Sequence, residues 1–348
     1  MRLGQRRLNR TLLQRQHLLE RADLSPAQVC SDLVGLQAQD NLPPYLGLAA
    51  RLTAFDPYDV SRGLEDRSLV RLVTMRSTVH LLVADDALTL RTWTQPRVER
   101  ELHSSPSTRP AIGVDRDVFA AALSDVLAEG PLPSSDLGAA LARTFPDVPP
   151  TALGQLARAA APLAQLPPRG AWKESGGVVY QRVDRWLGRA LVDPDVTAII
   201  RRYLRAFGSA TAADVTAWSA ITRLGPVLGA MEDLVRHEDE RGRVLYDVPD
   251  GALADGEEPA PVRLLGCYDN VWLSHAGRDR VTDPAKRAAW MGVNGGVAHT
   301  LFVDGMLEGL WRVEDGRVRV LETLRPLARS ERAELDEEIV RVEALLAR

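Results

Sequence analysis

The stretch Gly35-Leu36-Gln37-Ala38-Gln39-Asp40 sets two side-chain amides two residues apart. On a helix Gln37 and Gln39 would point in nearly opposite directions. In extended chain they point the same way, with Leu36 and Ala38 turned inward. Two amides aimed at one point can orient a water or a polar group. They cannot take up a proton, because an amide is neutral, so the pair is no general base. The chemistry open to it is positioning. Glutamine is also an ordinary surface residue, and the spacing alone does not choose between the two.

The extended geometry requires a helix that stops in the right place. Ser25 suits a helix cap, Pro26 the first turn, and Gln28 completes a capping box. Val29, Leu33 and Leu36 form its apolar stripe, and Gly35 is the expected terminator. A helix over 10–22 precedes it. Two later stretches repeat the plan: helix 116–128 before Leu132-Pro133-Ser134-Ser135-Asp136, and helix 195–206 before Ala210-Thr211-Ala212-Ala213-Asp214. In the first of these Pro133 occupies the cap position, so Ser134 is the expected cap. Gly130 and Gly208 mark the turns. Helix, turn, helix is a helix-turn-helix core, and short strands around Gly176-Gly177 would add a wing. Capped helix pairs are also common in any helical domain.

From residue 261 the apolar period changes to two, through Val262, Leu264, Tyr268, Val271 and Leu273, then Val293-Asn294-Gly295-Gly296 and Thr300–Gly305. Asp315-Gly316 between two apolar runs signals a hairpin. This predicts a small antiparallel sheet or barrel, closed by a charged helix over 328–346.

The 348 residues carry 43 basic and 47 acidic groups, net charge -4, which argues against a nonspecific polycation. The charge is uneven. Residues 1–110 are net +3 and residues 231–260 net -7, so the chain without that acidic stretch is net +3. The acidic stretch reads as a solvated linker lying away from any nucleic-acid cleft. All but two of the basic residues, Lys173 and Lys286, are arginine, either from a GC-rich genome or because arginine suits bidentate phosphate contact. Arg62, Arg67, Arg71, Arg76, Arg91, Arg97 and Arg100 concentrate in one segment; they could attract phosphate or pair with Glu65, Asp66, Asp85 and Glu99. Two cysteines exclude a disulfide framework and a cysteine-rich zinc module. The six scattered histidines form no HExxH, and there is no phosphate loop and no GxGxxG, so no metal and no cofactor are expected. No apolar run approaches ~18 residues and the N-terminus lacks a secretion signal, so a cytoplasmic, nucleoid-associated protein with no membrane partner is expected.

Helix 10–22, Leu33-Val34-Gly35-Leu36-Gln37-Ala38-Gln39 and Arg76-Ser77-Thr78-Val79-His80-Leu81 resemble a bacterial family of tandem winged-helix DNA glycosylases, that of AlkZ and YcaQ. Further likenesses follow in order: Leu166–Trp172, Tyr203–Gly208 with Ala217-Trp218-Ser219, Tyr268-Asp269-Asn270 and Leu273–Arg278. Together they span essentially the whole chain. The family pattern is glutamine, an aliphatic residue, then glutamine or aspartate; Gln37-Ala38-Gln39 is similar to the first variant. Gly277 stands where an acidic residue is expected, and Ser77 where glycine is usual.

The resemblance implies an α+β, mostly helical chain: winged-helix units over 1–110, 111–194 and 195–258, the last ending in the acidic linker, and a C-terminal β-barrel or sheet with terminal helix over 259–348. It implies a monofunctional glycosylase acting on N7-alkylated purines in double-stranded DNA, with crosslink unhooking and self-resistance to a DNA-alkylating natural product in some members. Gln37 and Gln39 would hold the attacking water. Arg71, Arg76, Thr78, His80, Asn270, Ser274, His275 and Arg278, in these motifs or the arginine-rich segment, are the candidate DNA-binding residues. Ser274–Arg278 is expected at a turn between two strands, where His275 could enter a groove or pair with Asp269 or Asp279. Asp40 and Asp269 could add charge, with a structural role favoured. A monomer is expected. The competing reading is a noncatalytic winged-helix regulator, which would have no use for the paired amides.

Overall fold

The computed structural model describes residues 1–290 and 298–348. The expected strand residues Val293-Asn294-Gly295-Gly296 lie outside the described residues. The chain divides into two compact units: Met1–Asp59 with Val196–Trp218 and Thr222–Arg348, and Val60–Asp195 with Ser219–Ile221.

In the first unit the opening helix is Gln5–Arg15, not 10–22. Leu18 and Leu19 continue the apolar pattern, but the chain turns first. His17 takes φ +54, its N–H bonds the Gln14 carbonyl, and the Leu18 N–H bonds the Leu13 carbonyl. That pair of bonds closes a helix end with a left-handed residue, here histidine where glycine is usual. Leu18 is buried all the same, on the far side of the turn.

The same unit carries two sheets. Arg2–Leu3 pairs parallel with Val235–Asp239, which pairs antiparallel with Val244–Asp247. The first half of the acidic stretch is therefore a hairpin, while residues 248–260 form the loop expected of it. Its carboxylates neutralise arginines: Asp247 takes two bonds from Arg15 at 2.8 and 3.1 Å, and Asp239 accepts from Arg243 at 2.6 Å. The second sheet runs Arg263–Leu265, His299–Val303, Met306–Glu314, Arg317–Thr323, antiparallel throughout and open. Asp315 and Gly316 make its tight turn with φ +51 and +73. The helix Arg329–Ala347 closes the chain.

In the second unit the strands lie in the order Val79–Val83, Leu69–Val73, Leu163–Gln165, Val179–Arg182, Leu132–Pro133. Helices Arg116–Val126, Ser134–Ala142 and Pro150–Ala160 bury Phe119, Leu123, Leu137, Leu141, Leu153 and Leu156. Ser134 is the first helical residue and makes no cap; Pro133 precedes it, and the Ser134 N–H bonds the Val178 carbonyl. The expected strands around Gly176-Gly177 are Leu163–Gln165 and Val179–Arg182, joined by a long loop and not a tight glycine turn.

Candidate active site

The helix before the glutamine pair is Pro26–Asp32, with both capping-box bonds present. It ends one residue earlier than the glycine suggests. Val34 takes φ +55 and Gly35 φ +92; the Val34 N–H bonds the Ser31 carbonyl and the Gly35 N–H bonds the Cys30 carbonyl. A left-handed β-branched residue is strained, and complete burial of Val34 holds it there. Beyond it Leu36–Gln37 is a short strand. Leu36 and Ala38 are buried, Gln37 is 8% exposed and Gln39 is open to solvent. Gln37 is thus buried along with its apolar neighbours, so burial does not alternate along 36–38, and Gln39, in a bend beyond the strand, is the more accessible amide.

This bend has an anchor. Asn270 Nδ2 donates to the Gly35 carbonyl at 3.0 Å, within the buried interior. Asn270 opens the helix Asn270–Leu273, whose cap is Asp269: its carboxylate accepts the Val271 N–H at 3.2 Å. The same carboxylate accepts two bonds from Arg51, both 2.8 Å, with side chains 0% and 2% exposed. Arg51 also donates to the Gly47 carbonyl and to Gln16 Oε1. A buried bidentate pair whose two terminal nitrogens each make a second bond is rigid, even though the Arg51 Nε meets no acceptor. Asp269 is therefore structural. The sequence reading missed Arg51 and Gln16; a lone arginine at the end of the apolar run Leu46–Leu52 was the available signal.

Asp40 is exposed. Its field acts on Cys267, Tyr268 and His299. Burial, and then Asp40, push the Cys267 thiol up to about 11. His299 Nδ1 accepts the Cys267 N–H at 2.9 Å, which leaves the proton on Nε2; burial lowers its pKa to about 4, against the pull of Asp40.

Ser274–Arg278 does not sit at a strand turn. It follows the helix Asn270–Leu273. Ser274 and His275 are 0% and 3% exposed, which removes both from a groove-entering tip. His275 Nδ1 meets Ser274 Oγ at 2.8 Å and pairs with neither Asp269 nor Asp279. Burial, then the charge of Arg280, hold its pKa well below the ordinary value. Asp214, through which the Thr211 capping box closes, accepts the Ala276 N–H at 2.9 Å. Tyr203 donates to the Ser274 carbonyl at 2.6 Å. Arg278 remains partly exposed.

The other candidates belong to the second unit, on the hairpin Leu69–Val73 and Val79–Val83. Arg76 and Ser77 take φ +55 and +61, which gives the physical reason a glycine suits position 77. His80 is buried; its Nδ1 lies 3.0 Å from the Thr78 carbonyl and so carries the proton, leaving Nε2 to accept from Arg76 Nη2 at 3.2 Å. Burial, then Arg76, lower its pKa to about 3. His80 is a satisfied, neutral interior histidine. Arg71 is 2% exposed and packed so closely on Gly170 that a Cβ there would collide with its side chain. That burial takes Arg71 out of phosphate contact. Arg91 is also buried and donates to the Ala159 carbonyl at 3.1 Å, while Arg97 meets Glu101 and not the expected acids. Among the described residues no three His, Cys, Asp or Glu side chains gather as a metal site, and no helix is long and apolar enough to cross a membrane.

The family model for DNA glycosylase AlkZ-like proteins matches residues 30–345, from the helix before the glutamine pair to the last helix. The chain belongs to the AlkZ-like DNA glycosylase family. The enzymes of this family hydrolyse N-glycosidic bonds in DNA. An interstrand DNA cross-link repair glycosylase of Streptomyces sahachiroi is 26% identical over 321 residues, covering 87% of this chain and 86% of that protein. The solved structure of Streptomyces sahachiroi DNA glycosylase AlkZ superposes with a TM-score of 0.82 at 23% identity, over 100% of this chain and 98% of that one. The AlkZ-like α+β fold therefore extends over the whole chain.

Proposed function

We propose that this AlkZ-like protein is a monofunctional repair glycosylase that hydrolyses the N-glycosidic bond of N7-alkylated purines in duplex DNA, with a water held by Gln37 and Gln39. The observation that carries the reading is the extended Leu36–Gln37 segment, its Gly35 carbonyl pinned by Asn270 and its apolar side chains buried. A fixed backbone gives fixed amides, and fixed amides can hold one water in line with a sugar carbon.

The chemistry suits the lesion. Without a general base the site forgoes about 10²–10⁴-fold. N7 alkylation makes the purine cationic, so it leaves as a neutral base without an acid. Water then adds to C1′ as the glycosidic bond breaks, its proton passes to solvent, and an abasic site remains. The site must orient water and tolerate positive charge on the sugar. Asp269 is committed to Arg51, which leaves Asp40, beside Gln39, as the carboxylate to supply that field.

Helix 116–126, strand 132–133, helices 134–142 and 150–160, strands 163–165 and 179–182 follow winged-helix order. So do helix 196–207, the Ala210–Tyr246 bridge, helices 212–219 and 225–230, and strands 235–239 and 244–247. This supports winged-helix units at 111–194 and 195–258. The first, 1–110, has its residues shared between the two compact units, and 259–348 forms the sheet and terminal helix. The protein acts as a monomer. The crosslink activity in the relative's name extends the substrate range to bulky adducts, which a site with little need to enclose a flipped base would admit. Arg76, Thr78, Asn270 and Arg278 stay as DNA-side residues, Asn270 through the backbone it fixes.

The test is incubation with a duplex bearing N7-methylguanine, followed by alkali cleavage at abasic sites. Strand cleavage with the wild type and its loss in Gln37→Ala/Gln39→Ala are expected. No product, or undiminished product from the double variant, overturns the mechanism.

A further inference from the structure

The loop after the helix Asn270–Leu273 and the helix Pro284–Trp290 wall a cavity of about 460 Å³, to which the Val235–Asp239/Val244–Asp247 hairpin contributes its turn residue Arg241. Three guanidinium groups line it: Arg241, Arg278 and Arg287. Its two carboxylates are engaged. Asp279 lies 3.1 Å from Arg241. Asp283 accepts the Lys286 N–H at 2.9 Å and lies 3.8 Å from its ammonium group, which itself is held by Glu308 at 2.7 Å. Among the described residues neither Arg278 nor Arg287 has an ion-pair partner.

Arg278 is the telling one. Its Nη1 is buried without a hydrogen-bond acceptor. Burial and then the charge of Arg287 lower its pKa, opposed by Asp214. Asp214 does not answer the orphaned N–H: the bonds its oxygens accept come from Ala276 and Thr211. Two like charges and an unmet donor in one cavity are costly when empty. A tetrahedral oxyanion would meet all three guanidiniums with charge-assisted bonds.

We propose that the Arg241–Arg278–Arg287 pocket seats a backbone phosphodiester of the DNA, a contact that positions the duplex and reads no sequence. It rests on the DNA-binding reading above. It also gives the hairpin of the acidic stretch a cationic tip, with Arg241 next to the left-handed Gly242 at φ +75.

The experiment is fluorescence anisotropy of the full-length protein with an undamaged duplex across a salt series. Arg287→Gln and Arg241→Gln, both at exposed positions, should each make the slope of log Kobs against log salt shallower by about 0.9. The loss should be equal on undamaged and N7-methylguanine duplexes. Arg319→Gln, on the strand Arg317–Thr323 and paired with Glu314, should leave the slope alone. Unchanged slopes for Arg287→Gln and Arg241→Gln, with wild-type binding intact, overturn the pocket only. A wild type that binds no duplex overturns the DNA reading and the pocket with it. Inorganic phosphate that raises the wild-type melting temperature but not that of Arg287→Gln, with DNA slopes unchanged, assigns the pocket to a free anion and overturns the DNA contact.

Discussion

Two polar segments, Leu36–Asp40 and Arg76–His80, start from the same backbone device and finish differently. Each is set by two consecutive left-handed residues: Val34 and Gly35 just before the first, Arg76 and Ser77 at the start of the second. In the first, the turn releases the chain into extended form, and a buried asparagine, itself held by an Arg51–Asp269 pair, fixes it from behind. Gln39 is left at the surface. In the second, the turn folds back so that the His80 ring is consumed by Thr78 and Arg76. A histidine, the residue type most associated with proton transfer, is here the inert one. The amides, which cannot transfer a proton at all, stand in the better supported position. Residue type proposes a chemistry, and the neighbours decide whether it is available.

The largest effect that would test this contrast lies at the support of the first segment. Arg51→Met leaves the Asp269 carboxylate buried without its partner, and should cost about 3–5 kcal/mol in urea unfolding; a loss under 1 kcal/mol would mean the pair does not brace the bend. Next is the amide pair: Gln37→Ala/Gln39→Ala should lower single-turnover excision of N7-methylguanine by about 10²-fold or more. Gln39→Asp should instead widen activity toward lesions without a formal positive charge, and no gain there would remove the electrostatic argument. Asn270→Ala frees the Gly35 carbonyl; a stability loss of about 1–3 kcal/mol is expected, with kcat falling more than KM rises.

The pH-dependent effect belongs to His80. Its pKa in the folded protein is about 3, against 6.5 for an ordinary histidine. The unfolded chain therefore binds a proton below 6.5 that the folded one refuses. The stability from keeping the ring neutral is complete above pH 6.5 and is lost as pH falls from there toward 3. Unfolding of wild type and His80→Asn, compared from pH 7.5 to 4.5, should show the wild-type advantage shrinking. An inflection in kcat/KM near pH 6.5 that vanishes in the variant would make His80 an active proton carrier and reverse the contrast.

What the sequence disclosed was local. The Ser25–Gln28 box, the Thr211–Asp214 box and the Asp315-Gly316 turn each depend on residues within four positions, and all three appear where expected. Partners distant in sequence were not legible. The opening helix stops at Arg15, turned by the left-handed His17, although its apolar pattern continues, because Leu18 finds its burial beyond the turn. Ser274–Arg278 looked like a hairpin tip because Val271 and Leu273 kept a period of two; the Asp269 cap makes a short helix instead, and Tyr203, 71 residues away, closes over the loop. Arg71 and Arg91 read as phosphate ligands by type, yet both are buried. Charge counted along the chain hid the fact that Asp247 and Asp250 of the acidic stretch are paired with Arg15 and Arg205, which folding brings to them.

Lys286, clasped by Glu308, has a consequence for anyone wishing to watch this protein bind. The chain has only one other lysine, Lys173, which stands exposed near the Trp172 ring. Amine-directed dyes should therefore fall on Lys173 and the exposed N-terminus and spare Lys286 beside the arginine pocket. Of these two sites only Lys173 lies on the second unit, so a dye there reports from that unit without any substitution.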